Sequence, residues 1–408
     1  MLLTRFAFFR RRVLLAGAAA SLAACADQIP TVVGDDAFPA GGRLGTFQTI
    51  VPAAGLVSEI GRFDGYTDAR DAPFLLVANQ FDGSLEANTL VRFTDAPLDS
   101  AVLYDAGTLI ARIDTAASAL VGTTLQLWTL DQGWDPETVT WERATESEFW
   151  RQPGGTRARL VSEIAAPAEG DSLLLPVDSA EVRRVASEEH PGLLVTATGA
   201  AGRVQLVGRF SLRTTYRTAA SPDSAIARTL SGGPQRFVFT PAPPQPATAW
   251  PAGGIRSART LFRLTLPQRV AAPGGEVALR DVTINSAFLL LRPLPVPNGF
   301  RPLAPVPLGL RTVFETELGR RSLLGDPVQD GLGTAAGAIF PPAFFMPGDS
   351  LVAIPVTQLV TRRIRSDSTG VSLALLAEPE PAGFGVAWFE PAPRLRIVYT
   401  LPARPLLP

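Results

Sequence analysis

The run Gly133-Trp134-Asp135-Pro136-Glu137-Thr138-Val139-Thr140-Trp141 sets the expected fold class. Asp-Pro punctuates the chain, and β-branched residues then alternate toward a second tryptophan. A period of two puts Val139 and Trp141 on one face and Thr138 and Thr140 on the other, which predicts a turn feeding a strand. Upstream, Thr123–Leu130 (TTLQLWTL) reads as another strand, and Leu90-Val91-Arg92-Phe93 opens a third. From Phe47 onward, short apolar runs such as FQTIV, PFLLVAN and TLIARID recur between turn signals. That spacing predicts an all-β sandwich or barrel. Helical periodicity is scarce, and its best stretch is Ser179–Ser187, with Ser179 as the expected cap.

Residues 1–24 read as an export signal rather than as part of the fold. Arg5, Arg10, Arg11 and Arg12 precede an apolar core, Val13–Ala24, that is too short to span a membrane. It ends Leu22-Ala23-Ala24-Cys25, similar to the lipobox of bacterial lipoproteins. Cys25, the one cysteine of the chain, is therefore the expected lipidation site and mature N-terminus. Residues 25–45 mix Pro, Gly and Asp and read as a flexible tether. No later apolar run reaches the length of a membrane helix. The expected place is the bacterial cell envelope, lipid-anchored to the outer membrane.

Composition narrows the partners. Net charge is −1, so no basic surface for nucleic acid is indicated. With 36 Gly and 37 Pro in 408 residues, turn formers stay below the roughly 25–30% at which disorder becomes the default. They suit many short strands.

The second half repeats the first. Gly170-Asp171-Ser172-Leu173 followed by Pro176-Val177 returns as Gly348-Asp349-Ser350-Leu351 followed by Pro355-Val356. Arg183-Arg184 parallels Arg362-Arg363, and Gly192-Leu193-Leu194-Val195 parallels Gly370-Val371-Ser372-Leu373. Phe210–Tyr216 parallels Pro393–Tyr399. The order is kept at a nearly constant offset, which points to a tandem duplication of one long module rather than a solenoid. The expected organisation is module one at 46–218, a linker at 219–234, module two at 235–400 and a tail at 401–408. Pro241–Gly254 should be an edge or surface loop, because its prolines cannot donate to a ladder.

The order of an LVRF-type strand, apolar strands, W-D-P-E-T-V-T-W, a PVD-type segment with a short helix and a closing PRLRIVY strand resembles the bacterial and archaeal DNRLRE modules. These are related to disaggregatase-associated and family 96 carbohydrate-binding domains. In module one the matching residues are Leu90–Phe93, Trp134–Trp141, Leu175–Val182 and Phe210–Tyr216. In module two they are Leu261–Leu264, Ile354–Val360 and Pro393–Tyr399; Arg311–Phe345 stands where the tryptophan element should be. The resemblance implies two tandem jelly-roll β-sandwich modules and, in some members, binding to acidic or extracellular polysaccharide. The expected function is non-catalytic binding or scaffolding at the cell surface, with polysaccharide as a partner beside the membrane. The alternatives are a polysaccharide lyase or hydrolase and a purely structural surface protein. An acidic or tyrosine-lined cleft favours the enzyme; exposed aromatic surface favours binding.

Residues that could carry chemistry are few. A catalytic triad or a zinc cage would have to use His190, the single histidine, so no catalytic residue and no metal site are expected. His190 itself reads as a solvated loop residue after a short helix. Asp64, Asp68 and Asp71 beside Gly65 form an oxygen-rich stretch that could hold calcium, without EF-hand spacing. No other cofactor is expected. Sugars stack on exposed aromatic faces. Trp150, among Glu148, Arg151 and Gln152, is the surface candidate, with Arg151 beside it and Trp134 as a second, loop-borne indole. Trp128, Trp141 and Trp388 read as core. Arg92 and Arg263, matched in the two copies, read as structural, each pairing with an acid or a backbone carbonyl.

Overall fold

The computed structural model describes residues 45–95, 102–167, 170–187, 190–272, 275–314, 317–328, 343–366 and 370–401. Cys25, the tether up to residue 44 and the tail from 402 lie outside the described residues. The first strands are β1 (Thr46–Val51), β2 (Val57–Phe63), β3 (Phe74–Phe81), β4 (Leu85–Val91), β5 (Val102–Ile113) and β6 (Thr123–Leu130). Next come β7 (Arg157–Ala165), β8 (Ser172–Val177), β9 (Leu193–Gly199), β10 (Gly202–Thr218), β11 (Ser221–Leu230) and β12 (Gln235–Thr240). The second half holds β13 (Trp250–Gly253), β14 (Arg259–Thr265), β15 (Arg269–Ala272), β16 (Gly275–Ala278), β17 (Thr283–Leu291) and β18 (Pro293–Leu294). It continues with β19 (Val306–Val313), β20 (Leu324–Pro327), β21 (Ala343–Phe345), β22 (Val352–Pro355), β23 (Gly370–Ala377), β24 (Val386–Phe389) and β25 (Arg394–Thr400). The fold is all-β, built of antiparallel sheets with two short α-helices among the described residues, Ser179–Val185 and Thr357–Arg365.

Alternation decides which side chains go inside. In β8 Leu173, Leu175 and Val177 are buried and the intervening residues exposed; β25 buries Leu395, Ile397 and Tyr399 in the same way. β8 ends where Asp178 turns the chain into the first helix. Its carboxylate accepts the Glu181 backbone N–H at 2.7 Å, so Asp178 rather than Ser179 is the cap.

The repeat seen in sequence is also a repeat of pairing. In the first half β10 pairs with β5 and β11, β5 with β8, β4 with β9 and β12, and β6 with β9 and β7. In the second half β25 pairs with β17 and β1, β17 with β22, β14 with β23 and β2, and β19 with β23 and β20. Two things differ: β3 pairs with both β4 and β10 and joins the first half into one ten-stranded sheet, where the second half keeps two sheets, and the outer strands have different sources. β11 and β12 follow β10 directly, whereas their counterparts β1 and β2 are the first strands of the chain. Pairing therefore divides the chain into 74–240 on one side and 250–400 with 46–63 on the other, not into 46–218 and 235–400. The linker expected at 219–234 is largely β11. Its residues 221–229 are exposed on both faces, so no apolar alternation marks it as a strand.

The halves also share a core. Phe47–Thr400 forms one compact unit. Its main apolar cluster runs from Leu76, Leu125 and Leu206 into Ile255, Phe300 and Phe384 of the second half. The loop carrying Phe300 approaches the first half closely. A Cβ at Gly299, which sits at φ +79°, would meet the Phe81 carbonyl oxygen at 2.8 Å, so only glycine fits.

The opening stretch departs from expectation. Trp134–Trp141 is not a strand. The Asp135 carboxylate accepts the Glu137 N–H at 3.0 Å and the Thr138 hydroxyl at 2.7 Å, and the Val139 N–H returns to the Asp135 carbonyl at 3.0 Å. The side chain closes a local turn that competes with extended pairing. Asp131–Thr156 is thus a long loop folded onto the sheet face opposite the main core, where Leu90, Leu194 and Val238 meet Trp134 and Trp150 in a second apolar cluster.

Candidate functional site

Both indoles expected at a surface site are interior. Trp150 is 5% exposed and donates its indole N–H to the Thr140 carbonyl at 3.0 Å. Trp134 is 3% exposed and donates to the Pro191 carbonyl at 2.8 Å. Neither offers a ring face to a sugar. The exposed neighbour is Phe149, over which the Arg143 guanidinium sits at 4.1 Å. Arg151 is exposed, but it ties the two ends of the loop together, bonding the Asp131 carboxylate at 2.7 Å and the Asp131 carbonyl at 3.0 Å. Arg92 donates to the Trp134 carbonyl at 3.4 Å, and Arg263 pairs with Glu59 at 2.9 Å, as their structural reading requires.

Two of the three calcium candidates are engaged elsewhere. Asp64 pairs with Arg256 at 3.5 Å, and Asp68 caps the turn at Ala69–Asp71 while holding Arg70 at 2.9 Å. The Arg70 hydrogen bond keeps the Asp68 carboxyl below its usual range. No group of three or more His, Cys, Asp or Glu side chains among the described residues is placed to hold a metal.

His190, expected in a solvated loop, is instead 6% exposed, and neither ring nitrogen has a hydrogen-bond partner among the described residues. Burial is the main cause that lowers its pKa to about 4, with the positive charge of Arg184 next; the Phe93 backbone works the other way. A folded pKa below the unfolded one means the unfolded chain binds the proton first as pH falls. This stabilisation is complete above about pH 6.5 and is lost on the way down to about pH 4, a total of about 3 kcal/mol. Urea titrations between pH 7 and 4.5 should show this slope for the wild type and a flatter one for His190→Leu. Parallel slopes would contradict the assignment.

The open site lies elsewhere, on the second half and the connection that leads into it. An open cleft lies between the end of β2, the β12–β13 connection and β24. Phe300 and Phe384, stacked at 4.9 Å and each 1% exposed, are core rings that lie buried beneath it, and Phe63 and the part-buried Trp388 stand in its walls. Pro243, Pro244 and Pro246 make the opposite wall. No hydrogen bond among the described residues ties 241–249 to the rest of the protein, so packing alone holds this strap. The polar rim is Arg62, Gln245 and the Asp64–Arg256 pair. The Arg62 Nε and Trp388 Nε1 atoms are shut off from water and have no hydrogen-bond partner among the described residues. Two residues beyond Asp64, Tyr66 lies under the Arg259 guanidinium at 3.7 Å and donates to the Arg320 carbonyl at 2.8 Å; burial pushes its pKa up.

Trp388 reads as core in the sequence because Val386-Ala387-Trp388-Phe389 carries no polar residue. It does pack against the main apolar cluster, yet it stays part-buried beside the proline run at 241–246. Residues without N–H groups cannot pair along the edge they face, and they leave the neighbouring ring partly uncovered.

No protein-family model matches the chain, and no curated protein matches it. Solved structures give faint likenesses. The Actinomyces fimbrial adhesin FimA is 12% identical over 74% of this chain and 78% of that one, with a TM-score of 0.17. A structure titled BspA_C_mut is 7% identical over 81% and 91%, with a TM-score of 0.14. The C-terminal domain of the Streptococcus pyogenes antigen I/II-family protein AspA is 7% identical over 81% and 92%, with a TM-score of 0.13. At these scores no argument about fold or function passes from them to this chain.

Proposed function

We propose that this is a lipid-anchored protein of the bacterial cell envelope that binds extracellular polysaccharide without catalysis, through the cleft beside Trp388. The observation that carries the reading is the make-up of the cleft wall: a part-buried indole facing proline rings, with a charged rim. An apolar ring face with polar groups at its edge suits a sugar, whose own ring has that division. Among the described lining residues there is no tyrosine and a single acid, Asp64, already paired with Arg256. A glycosidase needs two carboxylates across the sugar, so this composition supports binding over hydrolysis. The raised pKa of Tyr66 makes that hydroxyl a poor base for the lyase alternative. Envelope location and outer-membrane anchoring rest in this proposal on the signal ending at Cys25, and the ligand class on the resemblance to DNRLRE modules. No helix among the described residues is long and apolar enough to cross a membrane.

A glycan array probed with the full chain should give hits among acidic or neutral polysaccharides. Trp388→Ala should weaken them by about 1–3 kcal/mol, the range of a hot-spot aromatic. An array without hits, or hits indifferent to Trp388→Ala, would contradict the reading. Cys25→Ser should abolish lipid labelling and release the protein from membranes, since several acyl chains hold what one chain holds only marginally. Unchanged membrane partitioning would sink the anchor.

A further inference from the structure

We propose that Thr46–Phe63 is an exchangeable closure, and that this segment of one molecule completes the second half of another copy of the chain. The inference does not depend on the ligand of the cleft. It starts from the asymmetry of the repeat. The outer strands of the first half, β11 and β12, are continuous with β10. The equivalent strands of the second half, β1 and β2, arrive from the other end of the sequence and pair with β25 and β14.

These two strands are lightly held. In Thr46–Phe63 only Leu56 is buried; β1 alternates exposed with half-buried residues, and β2 has no buried side chain. Ile50 and Ile60 are 48% and 39% exposed. The two strands are held mostly by backbone ladder, with the Leu56 plug, the Arg263–Glu59 pair, the Phe47–Tyr399 ring contact at 6.1 Å and Phe63 in the cluster of Leu261 and Val313 added to it. Asp64–Thr67, which must move with them, is bonded more firmly, to Arg256, Ile255, Ser257 and Arg320. Segments with few buried apolar contacts open at low local free energy. Opening uncovers the edges of β25 and β14, and an uncovered edge is a template for another strand.

The strand that fits these edges is the one already fitted to them, in a second copy. The register is the same, with Arg263 opposite Ser58 and Phe262 opposite Ile60, and Leu56 refills its own pocket. Exchange of an identical element costs little, because each interaction given up within one molecule is remade between two. Asp68–Pro73, between the last hinge contact of Thr67 with Ser257 (2.7 Å) and the start of β3, supplies the pivot. Extended, those residues span roughly 20 Å. Reciprocal exchange gives a dimer, and unreciprocated exchange gives a head-to-tail chain. Anchoring on one membrane would raise the local concentration that such exchange needs.

The test uses the full chain with Cys25→Ser, so that the engineered pair Ser58→Cys and Arg263→Cys holds the only thiols. Chains grown in heavy and light nitrogen are mixed, unfolded, refolded together at rising concentration and oxidised. Mass spectrometry should find the 58–263 cross-linked peptide with one heavy and one light partner, in a share that rises with concentration. A control pair across the continuous closure, Asn88→Cys with Val238→Cys, should stay within one chain. Both placements are registered opposite each other across their strands. A 58–263 link that is always heavy–heavy or light–light would overturn the proposal, as would mixing no greater than in the control.

Discussion

Arg203→Ala is expected to cost about 3–5 kcal/mol of stability, the sum of a large core cavity and two stranded acceptors. Arg203 lies on β10 of the first half and is 1% exposed. It donates at 3.0 Å to the carbonyls of Gly299 and Arg301, in the loop that carries Phe300, a core ring beneath the cleft. Its guanidinium stacks on Phe81 at 5.1 Å and on Phe384 at 5.6 Å. Burial first, and the charge of Arg301 second, lower its pKa to about 10, so it stays protonated at neutral pH. Its N–H groups bridge the halves directly behind the cleft. Removing the side chain leaves two carbonyls without donors and takes support from Phe384. Urea unfolding of the full chain measures the loss, and a change under about 1 kcal/mol would mean that the bridge is ornamental.

Trp150→Ala should cost a similar amount, about 3–5 kcal/mol, the usual range for a buried tryptophan. The indole joins Trp134, Leu90, Leu194 and Val238 under the Asp131–Thr156 loop, and its N–H satisfies the Thr140 carbonyl. Arg151→Ala, one residue on, removes a mostly exposed ion pair and should cost no more than about 1 kcal/mol. Equal melting shifts for the two variants would contradict this placement. So would a Trp150→Ala protein that melts like the wild type.

Strands with one wet face were legible in the sequence, because burial there writes itself as alternation. β6, β8 and β25 each follow that rule, and the duplicated segments match because the same pairings had to be kept in both halves. Three features were not legible. β11 has no buried face over 221–229, so its composition resembles a linker although its backbone is paired. β1 and β2 join two different sheets whose other members lie some two hundred residues or more along the chain, and no local pattern encodes such a choice of partner. At Trp150 the polar neighbours suggested a surface, but in a loop of turns consecutive side chains do not alternate predictably. There Phe149 faces water and Trp150 faces the interior.

The site was legible only in kind. The sequence asked for an exposed aromatic surface; Trp150 is interior, and the cleft proposed in its place is walled by the part-buried Trp388 of the second half. Trp388 stands where it does because β24 pairs with β13 just after the proline strap, and that pairing joins residues 386–389 to 250–253.

The central claim is that ligand enters the cleft under the 241–249 strap. The most direct test is hydrogen exchange of the full chain, with and without the tightest-binding polysaccharide from the array. The account predicts added protection at the exchangeable amides of 245–256 and 384–389 and little change in Asp131–Thr156. Protection confined to the Asp131–Thr156 loop, or none in the strap and β24, would contradict it.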